Sequence, residues 1–353
     1  MSVLQHKFGP TTVAKLNIPN EVSQLLDDPW LKNQTIIIKP NWVSTDPTDF
    51  TDADTLRVLL EALDCPVVVT ESYCLARSMN ILNQGLGFTV EGKEVNWKWL
   101  LKGDGWKWLI ENPDWNWFKN GEHWDQLINE DKAFIDEYGF SDLFDEFNVE
   151  YINVTEEVWK GRIADPAEVK RIVESKYKPV RNTKLYGMLP EKLFNLRNST
   201  FISFARMKMY ASFTIKNLFG MIPDPLRPYW HGPKNSTITQ SIIDINKIYH
   251  SLFKVFGICE AIFTLPFIHP KGKYEGIYSG RYNIHDGTGF VALGRNLAAL
   301  DALLLYLTDP SIRSIADLNR DPVYLAEDEL NLAIEKDVFE EAKAMVGNWI
   351  LPI

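Results

Sequence analysis

TIIIKPNWV, residues 35 to 43, is the segment from which the rest of the chain can be read. Its β-branched run stops at Lys39-Pro40, as a buried strand does when it opens into a loop, because proline cannot donate to a ladder and holds the residue before it in extended geometry. DADTLRVLLEAL, residues 52 to 63, then sets apolar side chains at helical spacing behind Asp52 or Asp54 as a cap. CPVVVTES, residues 65 to 72, is a second buried strand ending at Glu71-Ser72. Strand, helix, strand at this spacing predicts a right-handed parallel crossover, and ligands of such sheets lie beyond the carboxyl ends of the strands. Lys39, Asn41, Glu71 and Ser72 all fall at those ends.

The same alternation returns downstream. FNVEYINV (147–154) reads as a strand, and residues 156–177 read as a loop followed by a helix. FISFA (201–205) is a buried strand that stops at Arg206. SIIDINKIYHSLFKVFG (241–257) is a helix running into a strand, FVALG (290–294) is another strand, and NLAALDALLLYLTD (296–309) is a helix capped by Asn296. Residues 271–289, rich in glycine and tyrosine, read as a loop. The fold class is α/β, a mostly parallel, Rossmann-like sheet flanked by helices. Residues 1–90 are the first part of this core, 91–150 a tryptophan-rich insertion, and 151–353 the remainder, with a second α/β lobe as a variant of that division.

The insertion carries a nonapeptide repeat: NWKWLLKGD, GWKWLIENP, DWNWFKNGE and HWDQL, with first tryptophans at Trp97, Trp106, Trp115 and Trp124. Trp-x-Trp pairs share a face in a strand but splay apart in a helix, and Gly-Asp, Asn-Pro and Asn-Gly supply turn chemistry between units. A hairpin array is therefore expected. It would serve as a packing insert over the core or a subunit interface, as an aromatic wall over a site, or as a carbohydrate platform.

Composition narrows the function classes. With 353 residues, 45% hydrophobic, the chain can bury a large core. A formal net charge of -10 argues against a protein that mainly neutralises phosphate backbones, so nucleic acid is not an expected partner. Cys65, Cys74 and Cys259 are too few and too scattered for a disulfide scaffold or an iron–sulfur cluster. The first twenty residues lack the charged-then-apolar pattern of a secretory signal, and no apolar run reaches membrane length; a cytoplasmic location is the expectation. Walker loops, G-x-G-x-x-G, G-x-S-x-G and H-E-x-x-H are absent from the sequence, which removes the usual warrants for nucleotide hydrolysis, Rossmann dehydrogenation and serine or zinc hydrolysis.

KPN after an apolar strand, VVVTES after the next crossover, ISFARMKMYASFTIKNLFG (202–220) and GRNLAALDALLLYL (294–307) stand in an order that resembles the family catalogued as domain of unknown function number 362, over most of residues 33 to 320. The resemblance implicates Lys39, Asn41, Glu71, Lys208, Lys216, Asn217, Gly220, His231 and Asp301. Where that family commonly reads Lys-Thr-His this chain has Lys208-Met209-Tyr210, and in place of an Asp-Gly pair it has Phe256-Gly257. The ferredoxin-like cysteines of some members have no counterpart.

Lysine supplies charge without bidentate geometry, and asparagine adds one donor and one acceptor that fix orientation, so Lys39, Asn41, Lys216 and Asn217 suit an anionic ligand. Leu218, Phe219 and Met221 anchor the turn, with Gly220 allowing close backbone approach or positive φ. Arg206, Arg227 and Arg295 are further carboxylate binders; Arg295 precedes a capped helix whose N-terminus favours anions. The expected activity is an enzyme acting on a small anionic metabolite, carboxylate or phosphate, by proton or group transfer, with Glu71, Lys208, Tyr210 and His231 as catalytic groups. No metal site is expected, and the sequence names no cofactor. A reductase using a bound flavin or an external electron donor, and a binding or scaffold protein using the tryptophan array, are the alternatives. A second copy of the chain is a compatible partner; a membrane is not.

Overall fold

The computed structural model describes residues 3–48, 50–77, 87–90, 93–96, 107, 110–111, 123–208, 213–224, 227–276, 280–309 and 322–350. Its strands, in chain order, are Leu4–Phe8 (β1), Thr11–Lys15 (β2), Ile36–Lys39 (β3), Val67–Glu71 (β4), Gly87–Val90 (β5), Lys93–Asn96 (β6), Glu150–Asn153 (β7), Thr200–Arg206 (β8), Lys254–Ala261 (β9), Thr264–Ile268 (β10), Tyr274–Gly276 (β11), Gly280–Asp286 (β12) and Phe290–Gly294 (β13). The helices that matter below are Ala53–Ala62 (α1), His123–Glu137 (α2), Phe140–Phe147 (α3), Val154–Trp159 (α4), Pro166–Glu174 (α5), Glu191–Asn195 (α6), Thr214–Asn217 (α7), Arg227–His231 (α8), Ile238–Leu252 (α9) and Leu297–Thr308 (α10).

One eight-stranded sheet, in the order β1-β2-β13-β9-β8-β3-β4-β7, organises the molecule. From β9 to β7 every neighbouring pair is parallel. The fold class is thus α/β, with a mostly parallel sheet flanked by helices. Period-two alternation sorts each strand between two cores. Ile36 and Ile38 face one with Leu56 and Leu59 of α1 and Phe140 and Leu143 of α3, while Ile37 faces the other with Val169 of α5 and Ile245 of α9. Each isoleucine is fully buried, a contribution of about 1.5–3 kcal/mol apiece.

The order of connection matters more than the count of strands. The chain goes from β3 to β4 and then β7, with α1 and α3 on one face, and returns to β8 on the far side of β3 before continuing to β9, with α5 and α9 on the opposite face. Winding therefore reverses between β3 and β8. In sheets wound this way, ligands sit beyond the strand ends at that point. Asp52 is the residue that caps α1, accepting from Thr55 N at 2.7 Å.

Several readings need correction. Residues 271–289 are not a loop throughout: β12 pairs with β11 on one side and β10 on the other in a three-stranded antiparallel sheet. Residues 154–159, read largely as loop, form α4, whose first turn is capped by the Asn153 side chain accepting from Glu156 N. The last repeat unit, HWDQL, enters α2, and Lys107, Ile110 and Glu111 are also helical, so the hairpin array does not extend to those positions. The reason at α2 is a helical apolar stripe through Leu127, Ile128, Phe134 and Ile135. Trp97, Trp106 and Trp115 lie outside the described residues. Among the described residues, no helix is long and apolar enough to cross a membrane.

Candidate functional site

β3 ends at Lys39, in register with Ser203 of β8, and β4 ends at Glu71, in register with Asn153 of β7. Adjacent parallel strands thus bring an ammonium and a carboxylate together, with Lys39 Nζ 2.6 Å from Glu71 Oε2 and both side chains 2% exposed. The other two ammonium hydrogens go to Asn217 Oδ1 at 3.1 Å and Pro40 O at 3.0 Å. Asn217 completes the bridge across the reversal point, its amide donating to Lys39 O at 3.1 Å and to Ser203 Oγ at 3.2 Å.

The turn that carries Asn217 is itself gripped. Asp301, buried on α10, accepts from the backbone N–H groups of Phe213, Thr214 and Ile215 at 2.8, 2.9 and 3.0 Å, and from the Thr214 hydroxyl at 2.6 Å. Those are the donors left over at the start of α7, so the carboxylate acts as a tertiary helix cap. On the other side, the backbone of Gly220 lies against the pair: a Cβ there would stand 2.7 Å from Lys39 Nζ and 3.0 Å from Glu71 Oε1. Gly220 is not among the positive-φ glycines, so close approach is what requires it.

Beyond Glu71, Ser72 is a hub. Its N–H donates to Glu71 Oε1 at 3.0 Å, its hydroxyl accepts from Arg227 Nη2 at 2.7 Å, and its carbonyl accepts from Arg77 Nη2 at 2.9 Å. Arg77 also binds Asp131 Oδ1 at 2.8 Å, and Asp131 Oδ2 receives the Tyr151 hydroxyl and the Asn153 amide at 2.8 and 2.7 Å. The Arg77 guanidinium lies 4.6 Å from the Phe134 ring centre, and its Nε and Nη1 have no hydrogen-bond partner among the described residues. Asp224 closes the set, accepting from Leu75 N at 2.8 Å and facing Arg227 Nη1 at 3.7 Å. Three buried cations are matched by three buried carboxylates. An electropositive hollow is not what the strand ends form around Lys39, because an unmatched charge in this interior would be far costlier than a paired one.

Burial pulls the Lys39 ammonium down to about 8; Glu71 opposes the shift and the charges of Arg227 and Arg77 add to it. A lysine in that range exchanges protons near neutral pH. Burial likewise raises the Asp301 carboxyl to about 6, against its four hydrogen bonds.

The other sequence candidates lie at varied distances from this centre. Lys216 and Lys208 are half-buried; the field of Lys216 is felt at His231 and that of Lys208 at Cys259. His231, also half-buried, packs edge-on to Phe219 at 5.2 Å and pairs with Asn235 Oδ1 at 3.0 Å, and burial lowers its pKa, with Arg227 and Lys216 adding to the effect. Asn41 is buried, with no hydrogen-bond partner for its Nδ2 among the described residues, while its backbone pairs with Thr51. Arg206 is buried in an ion pair with Glu260 at 3.0 Å and reaches Thr264 O and Pro47 O, joining β8 to β10 and the loop after β3. Arg295 pairs with Asp28 at 2.7 Å over the Trp30 ring, so a carboxylate of this chain already occupies its fork. Tyr210 lies outside the described residues.

Arg77, Asp131 and Asp224 were not singled out by sequence reasoning. A signal existed for Asp131, which interrupts the apolar stripe of α2 between Ile128 and Ile135. Comparison of the chain with protein-family models, with curated proteins and with solved structures finds no match.

Proposed function

We propose that the protein is an enzyme acting on a small anionic metabolite, a carboxylate or phosphate, by proton or group transfer at the strand ends where the winding reverses. The observation that carries this reading is the Lys39–Glu71 pair, fully buried at the strand ends with the lysine drawn down to about 8. Neutral Lys39 is the base, and Glu71 at 2.6 Å accepts or returns its proton. The ammonium form stabilises an oxyanion or enolate when charge develops beside it. Asn217 holds the amine in one orientation, and half-buried Lys216 and His231 attract and orient the anion. With both members of the pair 2% exposed, contact with substrate requires the Leu218–Met221 turn to shift away from Lys39.

The resemblance drawn on sequence motifs supports the same reading, since Lys39, Glu71, Asn217 and Gly220, from three separate motifs, adjoin one another and Asp301, from the fourth, fixes the turn. Mass spectrometry of small molecules released from the purified protein tests it. A carboxylate or phosphate ester is expected from the wild type and not from Lys39→Met or Lys216→Met. Release of no anion, or of the same anion in the same amount from both variants, would overturn the proposal.

A further inference from the structure

A cavity of about 500 Å³ opens beside the carboxyl end of β7, walled by α2 and α4 and reaching Ser141 on α3 and Lys192 on α6. That volume is within the usual range for small-molecule sites. It lies two strands from the reversal point between β3 and β8, and although Arg77 links its Asp131 to Ser72, nothing in the proposed activity uses it. At its floor stands the Asp131 carboxylate, with the Tyr151 hydroxyl and the Asn153 amide already turned toward it. The polar directions of the floor are therefore fixed before any ligand arrives.

The wall charges cancel in place. Arg162 straddles Glu157 at 2.8 and 2.9 Å, Lys160 takes Glu156 at 2.6 Å, and Arg77 stands behind Asp131. Lys192 has Glu150 at 3.1 Å, and Lys132 and Asp136 are opposite charges one turn apart on α2. An ion entering this space meets charges that are mostly paired in place, so it would lose hydration for little gain. A hydroxyl group suits the wall better, because it donates to carboxylate oxygens and accepts from guanidinium, ammonium and amide N–H. Buried Ile128 and Ile135 add an apolar strip against which the C–H face of a ring can lie.

We infer that this cavity binds a neutral, hydroxyl-rich small molecule, of the sugar or cyclitol class. The inference stands independently of the Lys39–Glu71 reading. Isothermal titration calorimetry on the full chain, with glucose, maltose and myo-inositol as neutral probes and citrate and putrescine as charged ones, decides it. At least one neutral probe is expected to bind, and neither charged probe to bind in this cavity as tightly, the cavity's share being what Ser141→Trp removes. Ser141→Trp, which fills the mouth from a surface position, is expected to weaken the neutral probe by about tenfold or more, a loss of about 1.4 kcal/mol, with the melting temperature unchanged. Failure of all three neutral probes, tighter binding of citrate or putrescine that Ser141→Trp abolishes, or indifference of the neutral probe to Ser141→Trp would overturn it.

Discussion

Replacing Lys39 with methionine keeps the volume of the stem and removes the charge, which isolates what the ion pair contributes. Glu71 is 2% exposed and has its cation 2.6 Å away, so the variant leaves a carboxylate with one N–H donor, from Ser72, in a dry interior. Breaking a buried pair in this way costs about 3–5 kcal/mol. Adding Glu71→Gln to Lys39→Met removes the stranded charge altogether and should restore most of the stability, giving a coupling of roughly 2 kcal/mol or more in the double-mutant cycle. Urea unfolding followed by far-ultraviolet circular dichroism, at pH 7, measures all four corners of the cycle. If the two single losses simply add, to within about 0.5 kcal/mol, Lys39 and Glu71 are not energetically joined and the reasoning about the centre fails.

Gly220→Ala should destabilise the protein by about 1–3 kcal/mol, since its Cβ would meet Lys39 Nζ at 2.7 Å, and it should shift the Lys39 titration; a melting temperature equal to wild type would contradict the close approach. Asp301→Ala strands the donors of Phe213, Thr214 and Ile215 and should cost about 2–4 kcal/mol, with faster amide exchange localised to α7; uniform exchange throughout would argue against the capping role. Acid stability carries two opposed contributions. His250, buried and lowered from 6.5 to about 4, contributes stability that is lost as pH falls through that range, whereas Asp301, raised from 3.8 to about 6, contributes stability that is present in acid and lost as pH rises through about 6. Each shift corresponds to about 3 kcal/mol, so they nearly cancel between pH 4 and 6.5, and His250→Phe should make the protein gain roughly that amount in acid relative to wild type. Unfolding midpoints with the same pH dependence in both proteins would refute the assignment.

What the sequence made legible follows from locality. TIIIK and PVVVTE are β-branched runs closed by a proline or by a polar strand end, and α1 has helical spacing behind Asp52, so the first crossover and the position of Lys39 and Glu71 at strand ends could be read directly. Pairing between distant segments could not. β13 joins β9 to β2 in antiparallel register, and neither Thr11–Lys15 nor Phe290–Gly294 carries a local mark of that partnership. The 271–289 segment looked like loop because its glycines and tyrosines suggest turns, yet Gly280, at φ +71°, begins a strand. At the site, lysine and arginine were read as waiting for an external anion. The partners of Lys39, Arg206 and Arg295, which are Glu71, Glu260 and Asp28, stand 32, 54 and 267 residues away along the chain, and burial makes pairing obligatory in a way that residue types alone do not reveal.

Nuclear magnetic resonance titration of the Lys39 side-chain nitrogen, with the resonance assigned through Lys39→Met, addresses the centre most directly. A midpoint near pH 8 that moves upward when inorganic phosphate or citrate is added is the predicted result. A midpoint at the ordinary lysine value, unmoved by either anion, would contradict the proposal that this buried amine handles protons for an anionic substrate.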